Sequence, residues 1–311
     1  MKLPKFTKEM KNENPTPPWQ KEMDENDFIS CNNSFVFGEY WDEFDKYSFE
    51  CKETGNITYY VYDPVKHGAD PDKKYPVLMW IHGLNCAIDG IRCVGYCGAE
   101  QYASRKYQKS MGGGAYLIVP LANEKRLEDD TIVGSWDEHY IAPVKALYDK
   151  VYTENQEHIS CRFIMGASSG GYFTWRLIEE YPEDFDGAIP IASGYFPSYE
   201  NLKKIETAQI HLIVAHGQHD EMADFEQCIL PHKEVLLSMK NCLCYFPEWV
   251  RNADGGVSSV NYGMEMGQHC LINQFQENLL YDDGTCYDER LPKGVTGWVK
   301  GVCEQKRKTV D

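Results

Sequence analysis

Apolar residues in this chain gather into short uninterrupted runs separated by longer, mixed stretches. VLMWIH at 77–82, AYLIVP at 115–120, CRFIMG at 161–166, GAIPIAS at 187–193 and IHLIVAH at 210–216 read as strands buried on both faces. A strand with one wet face would alternate instead. NCLCYFPE at 241–248 supplies a sixth, with Cys242 and Cys244 on the same side of it, toward the core. Upstream, FVFGEYWDEFDKYSFE at 35–50 and ITYYVYD at 57–63 are aromatic and alternating, which predicts an antiparallel strand pair. Between the runs lie helix-like stretches at 98–110, 139–155, 171–181, 222–240 and 269–280.

Strands alternating with helices imply parallel crossovers. The expected class is therefore α/β, with a mostly parallel central sheet, helices on both faces and the N-terminal antiparallel pair at its side. No period of 20 to 50 residues repeats, so one domain over 28–311 is the economical reading. Residues 1–27 are charged and proline-bearing and read as an arm. They hold no continuous apolar segment of the kind a secretory signal needs, and no run reaches the length of a membrane span.

Charge narrows the partners. The formal net charge of −17, from 48 acidic and 31 basic side chains, repels phosphate backbones and anionic lipid, which argues against nucleic acid and membrane partners. Twelve cysteines scattered through strands and helices fit reduced thiols in a cytoplasmic protein better than a disulfide framework. Cys86, Cys93 and Cys97 cluster without a zinc spacing or a fourth ligand, so no metal is expected there.

In a parallel sheet of this kind ligands bind at the carboxyl ends of the strands, so the residues just after each run matter most. After CRFIM comes Gly166-Ala167-Ser168-Ser169-Gly170-Gly171 and then a helical stretch. This is G-x-S-x-G in a strand-turn-helix setting, where a sharp turn lifts a serine oxygen above the sheet. Capping of a helix at a glycine turn is the plainer alternative. Ser168 has glycine two residues away on both sides, whereas Ser169 satisfies only a looser form of the motif. A serine nucleophile needs a base, and the base needs a carboxylate, in the chain order serine, acid, histidine. HGQHDEMADF places Asp220 just past a strand, with Asp224 a weaker second choice, and GQHC places His269 at the start of a helical stretch. His82, His216 and His219 read as positioning or wall residues. Two N–H donors for a developing oxyanion would come from Ser169 and from Leu84 of the His82-Gly83-Leu84 turn.

At this point the chain resembles the α/β-hydrolase superfamily. Within it, GASSGGYFTWRLIEEYPEDFDGAIPIASG is similar to a stretch shared by feruloyl and acetyl esterases, polyhydroxybutyrate-depolymerase-like esterases and predicted peptidases. The upstream IHG and downstream HGQHD and GQHC continue the likeness, which spans roughly residues 55–281. Ser169 stands where methionine is more usual, a change that spares the backbone donor. The resemblance implies a serine carboxylesterase that forms an acyl-enzyme on small or carbohydrate-linked acyl esters and needs no cofactor. A peptidase of prolyl-oligopeptidase type and a non-catalytic binding protein are the other readings. Trp136, in GSWDEHY after the run AYLIVP, stands where it would stack on a substrate ring or pack in the core, and His82 of the His82-Gly83-Leu84 turn is a further candidate for the substrate wall. Residues 84–114 match nothing in the family pattern, and EKRLEDD at 124–130 reads as a solvated loop.

Overall fold

The computed structural model describes residues 38–251 and 267–310, and the arm expected over 1–27 lies outside them. Ten strands form: β1 (Asp45–Phe49), β2 (Ile57–Tyr62), β3 (Tyr75–Ile81), β4 (Tyr116–Pro120), β5 (Lys125–Arg126), β6 (Ile132–Val133), β7 (Ile159–Ala167), β8 (Gly187–Ile191), β9 (His211–Ala215) and β10 (Cys242–Tyr245). Eight of them make one sheet in the order β1-β2-β4-β3-β7-β8-β9-β10, and β5 and β6 pair separately as a hairpin. The pairs β1–β2 and β2–β4 are antiparallel, and every pair from β4–β3 across to β9–β10 is parallel. All six apolar runs are strands. Of the N-terminal aromatic stretch, the described residues 38–50 form strand only over 45–49, because Trp41–Glu43 turns away as a 3₁₀ helix whose Trp41 Nε1 donates to Glu100 Oε2 at 3.1 Å.

Every residue of β3 is buried, and its side chains divide between two cores. Val77, Met79 and Ile81 enter one layer with Val144, Leu147, Phe173, Leu177 and Leu202. Leu78 and Trp80 enter the other with Tyr102, Phe275, Val295 and Val299. The continuous run is thus two period-two patterns, one for each face of the sheet. Truncating Trp80, which is fully buried, to alanine would cost about 3–5 kcal/mol.

Helices α1 (Ile141–Glu154) and α2 (Ser169–Glu180) match the expected 139–155 and 171–181, while two others escape the sequence pattern. Helix α3 (Tyr199–Thr207) buries only Leu202 and Ile205 and starts where Ser198 accepts the Asn201 N–H. The C-terminal helix α4 (Gly294–Val310) carries three glycines, and its buried Val295, Val299, Val302 and Cys303 form a thin stripe. Three expected helices are broken. The stretch 98–110 divides at Ser104, which caps Arg105–Ser110 through the Tyr107 N–H. The stretch 222–240 divides at Pro231, where the missing N–H and fixed ring prevent continuation. Only Ile272–Gln276 of 269–280 is α-helical.

The eleven cysteines among the described residues are free, and Cys242 and Cys244 share a side with their sulfurs 4.0 Å apart. Burial pushes the thiols of Cys86, Cys93 and Cys97 above the ordinary cysteine range, so they stay protonated. Among the described residues no group of three or more His, Cys, Asp or Glu side chains is arranged to hold a metal, and no helix is long and apolar enough to cross a membrane.

Candidate active site

The strand ends are level. Ile81 lies opposite Gly166, Ala167 opposite Ile191, and Ala215 opposite both Ile191 and Tyr245. The loops after β3, β7 and β9 therefore emerge along one edge of the sheet. That is where the candidate residues stand.

β7 ends at Ala167 and α2 begins at Ser169, which leaves Ser168 alone to make the turn between them. Its backbone sits at φ 58° and ψ −121°, a conformation that strains any residue with a side chain by about 1–3 kcal/mol. The surroundings impose it. Ser168 N–H donates to Ile191 O at 3.0 Å, and Tyr172 N–H donates to Ser168 O at 3.0 Å. A Cβ added to Gly166 would stand 2.6 Å from Ile81 O, and one added to Gly170 or Gly171 would collide with Ile81 O or Ile191 O. The glycines are thus required for backbone-to-backbone contact of helix with strands, which a simple helix cap does not demand. The Ser169 hydroxyl is buried without a partner, which leaves Ser168 as the serine of the turn.

Asp220 follows β9 and is 7% exposed. Its Oδ1 accepts the N–H groups of Met222 and Ala223, each at 2.8 Å, and both carboxylate oxygens lie 2.8 Å from His269 Nδ1. A carboxylate can only accept here, so Nδ1 carries the proton and Nε2 keeps its lone pair. Burial works to raise the Asp220 carboxyl, but the neighbouring His269 and His216 and the Ala223 amide hold it below the usual carboxylate range. Asp224 is elsewhere: it caps Phe225–Cys228 by accepting the Gln227 N–H at 2.8 Å. His216 is buried, with Nε2 2.6 Å from Ala223 O and 3.5 Å from Asp220 Oδ2, and so braces the Asp220 loop. His219 stacks on Trp249 with ring centroids 3.8 Å apart.

Ser168 Oγ makes no hydrogen bond among the described residues. A Cβ on Gly83 would lie 3.7 Å from Ser168 Cβ and 3.9 Å from Cys86 Sγ, so the Gly83 turn packs against the turn that carries Ser168. The amides of Leu84 and Ser169 donate to no partner among the described residues. Behind Leu84, Glu124 Oε2 accepts the Ala87 N–H at 3.1 Å and fastens the turn. Glu124 is buried and Lys125–Arg126 is strand β5, so the loop expected over 124–130 narrows to 127–130.

His82 and Trp136 depart from the expectation of a substrate wall. His82 is fully buried, with Nδ1 2.7 Å from Gly83 O and Nε2 accepting the Ala122 N–H at 3.0 Å. Burial lowers its pKa, and both ring nitrogens are already engaged. Trp136 is 5% exposed, stacks on Phe173 with centroids 4.8 Å apart, and donates Nε1–H to His82 O at 3.0 Å. Together they hold the strand end that leads into the Gly83 turn. Residues 84–114, which the family pattern left unassigned, pack over one sheet face. There Tyr102 OH donates to Phe275 O at 2.7 Å and Gln276 Nε2 to Gly95 O at 2.8 Å. Two groups at the site had no sequence signature of their own, Glu221 and Gln268. Both sit beside a motif residue, Asp220 and His269, and that adjacency was the only available signal.

No protein-family profile matches the chain, and no curated protein matches it. Solved structures do. A thermostable esterase superposes with a TM-score of 0.54 at 22% identity, covering 76% of this chain and 60% of that protein, so the chain spans well under two thirds of its length. A ferulic acid esterase superposes with a TM-score of 0.51 at 14% identity, covering 75% of this chain and 95% of that one. The strand order, the crossover from the antiparallel pair into the parallel sheet and these superpositions agree that the chain has the α/β-hydrolase fold.

Proposed function

We propose that the chain is a serine carboxylesterase with Ser168 as nucleophile, His269 as general base and Asp220 as the acid that orients it. The pairing of both Asp220 oxygens with His269 Nδ1, on the sheet edge where Ser168 makes its strained turn, carries this reading. Ser168 Oγ attacks the ester carbonyl while His269 Nε2 takes its proton. The carbonyl oxygen, now negative, is held by the amides of Leu84 and Ser169. When the tetrahedral intermediate collapses, His269 returns the proton to the departing alcohol and an acyl-serine remains. Water then attacks the acyl group, His269 takes a proton from it, and the acid leaves as Ser168 recovers its hydrogen. Every group in the cycle is a side chain or amide of the protein, so no cofactor enters. In enzymes without substrate the serine-histidine bond is commonly long and tightens on loading, as this site requires.

Small or carbohydrate-linked acyl esters, of acetyl or feruloyl type, are the proposed substrates. The two neighbours named as esterases, one of them a ferulic acid esterase, support the ester over the amide. The net charge of −17 favours neutral small molecules over nucleic acid or anionic membrane, and the free thiols favour a cytoplasmic setting. The test is a panel of acetyl, butyryl and feruloyl esters with an aminoacyl amide. Turnover of esters is expected. Turnover of the amide alone would turn the reading to a peptidase, and no turnover at all would leave a binding protein.

A further inference from the structure

Glu221 directly follows the proposed acid, yet the mechanism above does not use it. Its side chain turns toward the histidine loop. Oε1 accepts the Gln268 N–H at 3.1 Å and Oε2 accepts the His269 N–H at 2.9 Å. Gln268, itself fully buried, accepts the Val250 N–H at Oε1, 2.7 Å away, and donates Nε2–H to Val250 O at 3.3 Å. Asp220 thus grips the imidazole while Glu221 grips the backbone that carries it.

We infer that Glu221 is a positioning residue for His269 and that its ionised form is the one that holds the histidine loop in place; this rests on the serine-hydrolase reading of the site. The chemistry distinguishes the two protonation states. An ionised carboxylate offers both oxygens to the two amides. A carboxylic acid offers one, because the protonated oxygen becomes a donor facing an N–H. The second amide then loses its acceptor, a loss that is expensive for a buried group.

Burial pushes the Glu221 carboxyl up to about 8, with Asp220 adding to the rise and the two amides opposing it. The titratable groups around it are Asp220, His219 and Asp224 on its own loop, His216 from the end of β9, and His269 and Cys270 on the loop it clamps. Burial keeps His216 neutral and Cys270 protonated, and Asp220 is held ionised. Loss of the Glu221 proton therefore completes the clamp, and the rate of acylation should rise through about pH 8 in a step that a fixed half-made clamp lacks.

The experiment is the rate of fluorophosphonate labelling as a function of pH, between about pH 5 and 9, for the full chain, Ser168→Ala and Glu221→Gln. The glutamine presents one acceptor at every pH and so fixes the half-made clamp. Expected is a rise of about tenfold through pH 8 for the natural protein, no such rise for Glu221→Gln, and labelling about tenfold slower for that variant near pH 9, where the natural clamp is complete. If Glu221→Gln does not fold, the natural protein decides alone: a step in the labelling rate near pH 8 supports the inference, and its absence overturns it. Labelling that vanishes in Ser168→Ala while Glu221→Gln follows the natural protein in rate and slope overturns the role of Glu221 and leaves the serine reading standing. No labelling of the natural protein at any pH removes both.

Discussion

The two halves of the candidate site are held by different means. Around Ser168 the fixing is done by main chain: a helix start and two strand ends meet so closely that Gly166, Gly170 and Gly171 admit no side chain. Around His269 it is done by side chains: Asp220 and Glu221 reach across from another loop to hold the imidazole and its backbone, and Gln268 ties the histidine loop to Val250. Main-chain packing needs glycines at fixed spacing and so leaves a motif in the sequence. A side-chain clamp needs only that distant residues arrive together, and it leaves none.

If the base side is oriented by its carboxylate, Asp220→Asn should lower kcat by about 10³-fold or more, because the amide permits the wrong imidazole tautomer. Steady-state kinetics on a short-chain ester measure this, and a loss below tenfold would mean that the clamp, and not the acid, orients His269. The nucleophile side should break differently. Gly170→Ala is expected to cost about 3 kcal/mol of stability in urea unfolding, since the new methyl meets Ile81 O and His82 O. Gly194→Ala, with open space around it, should stay within about 0.5 kcal/mol. Equal effects would show that the elbow is not packed as described. Smaller than the Gly170 effect, Trp136→Phe keeps the ring stacked near Phe173 but removes the bond to His82 O, for a loss of about 1 kcal/mol by the same assay. A large rise in KM with unchanged stability would return Trp136 to the substrate wall.

The fold was legible because a sheet covered on both sides demands continuous apolar runs, and VLMWI at β3 can be little else. The elbow was legible through its glycines, and Asp220 through its place after β9. What escaped did so for more than one physical reason. Helix α3 is short and buries only two residues, and the buried stripe of α4 is interrupted by glycines. Trp136, read as a substrate-stacking or a core ring from its place after a strand, and His82, read as a positioning or wall residue, support the strand end from within, the Trp136 Nε1–H being used inward. Glu221 and Gln268 act on main chain 47 and 18 residues away, through contacts that only the folded loops create.

The oxygen that a serine-directed fluorophosphonate modifies tests the proposed site most directly. Mapping the fluorophosphonate adduct by peptide mass spectrometry should find it on Ser168, with none in His269→Ala under the same conditions. An adduct on Ser169, or one on Ser168 that forms equally fast without the imidazole, would contradict it.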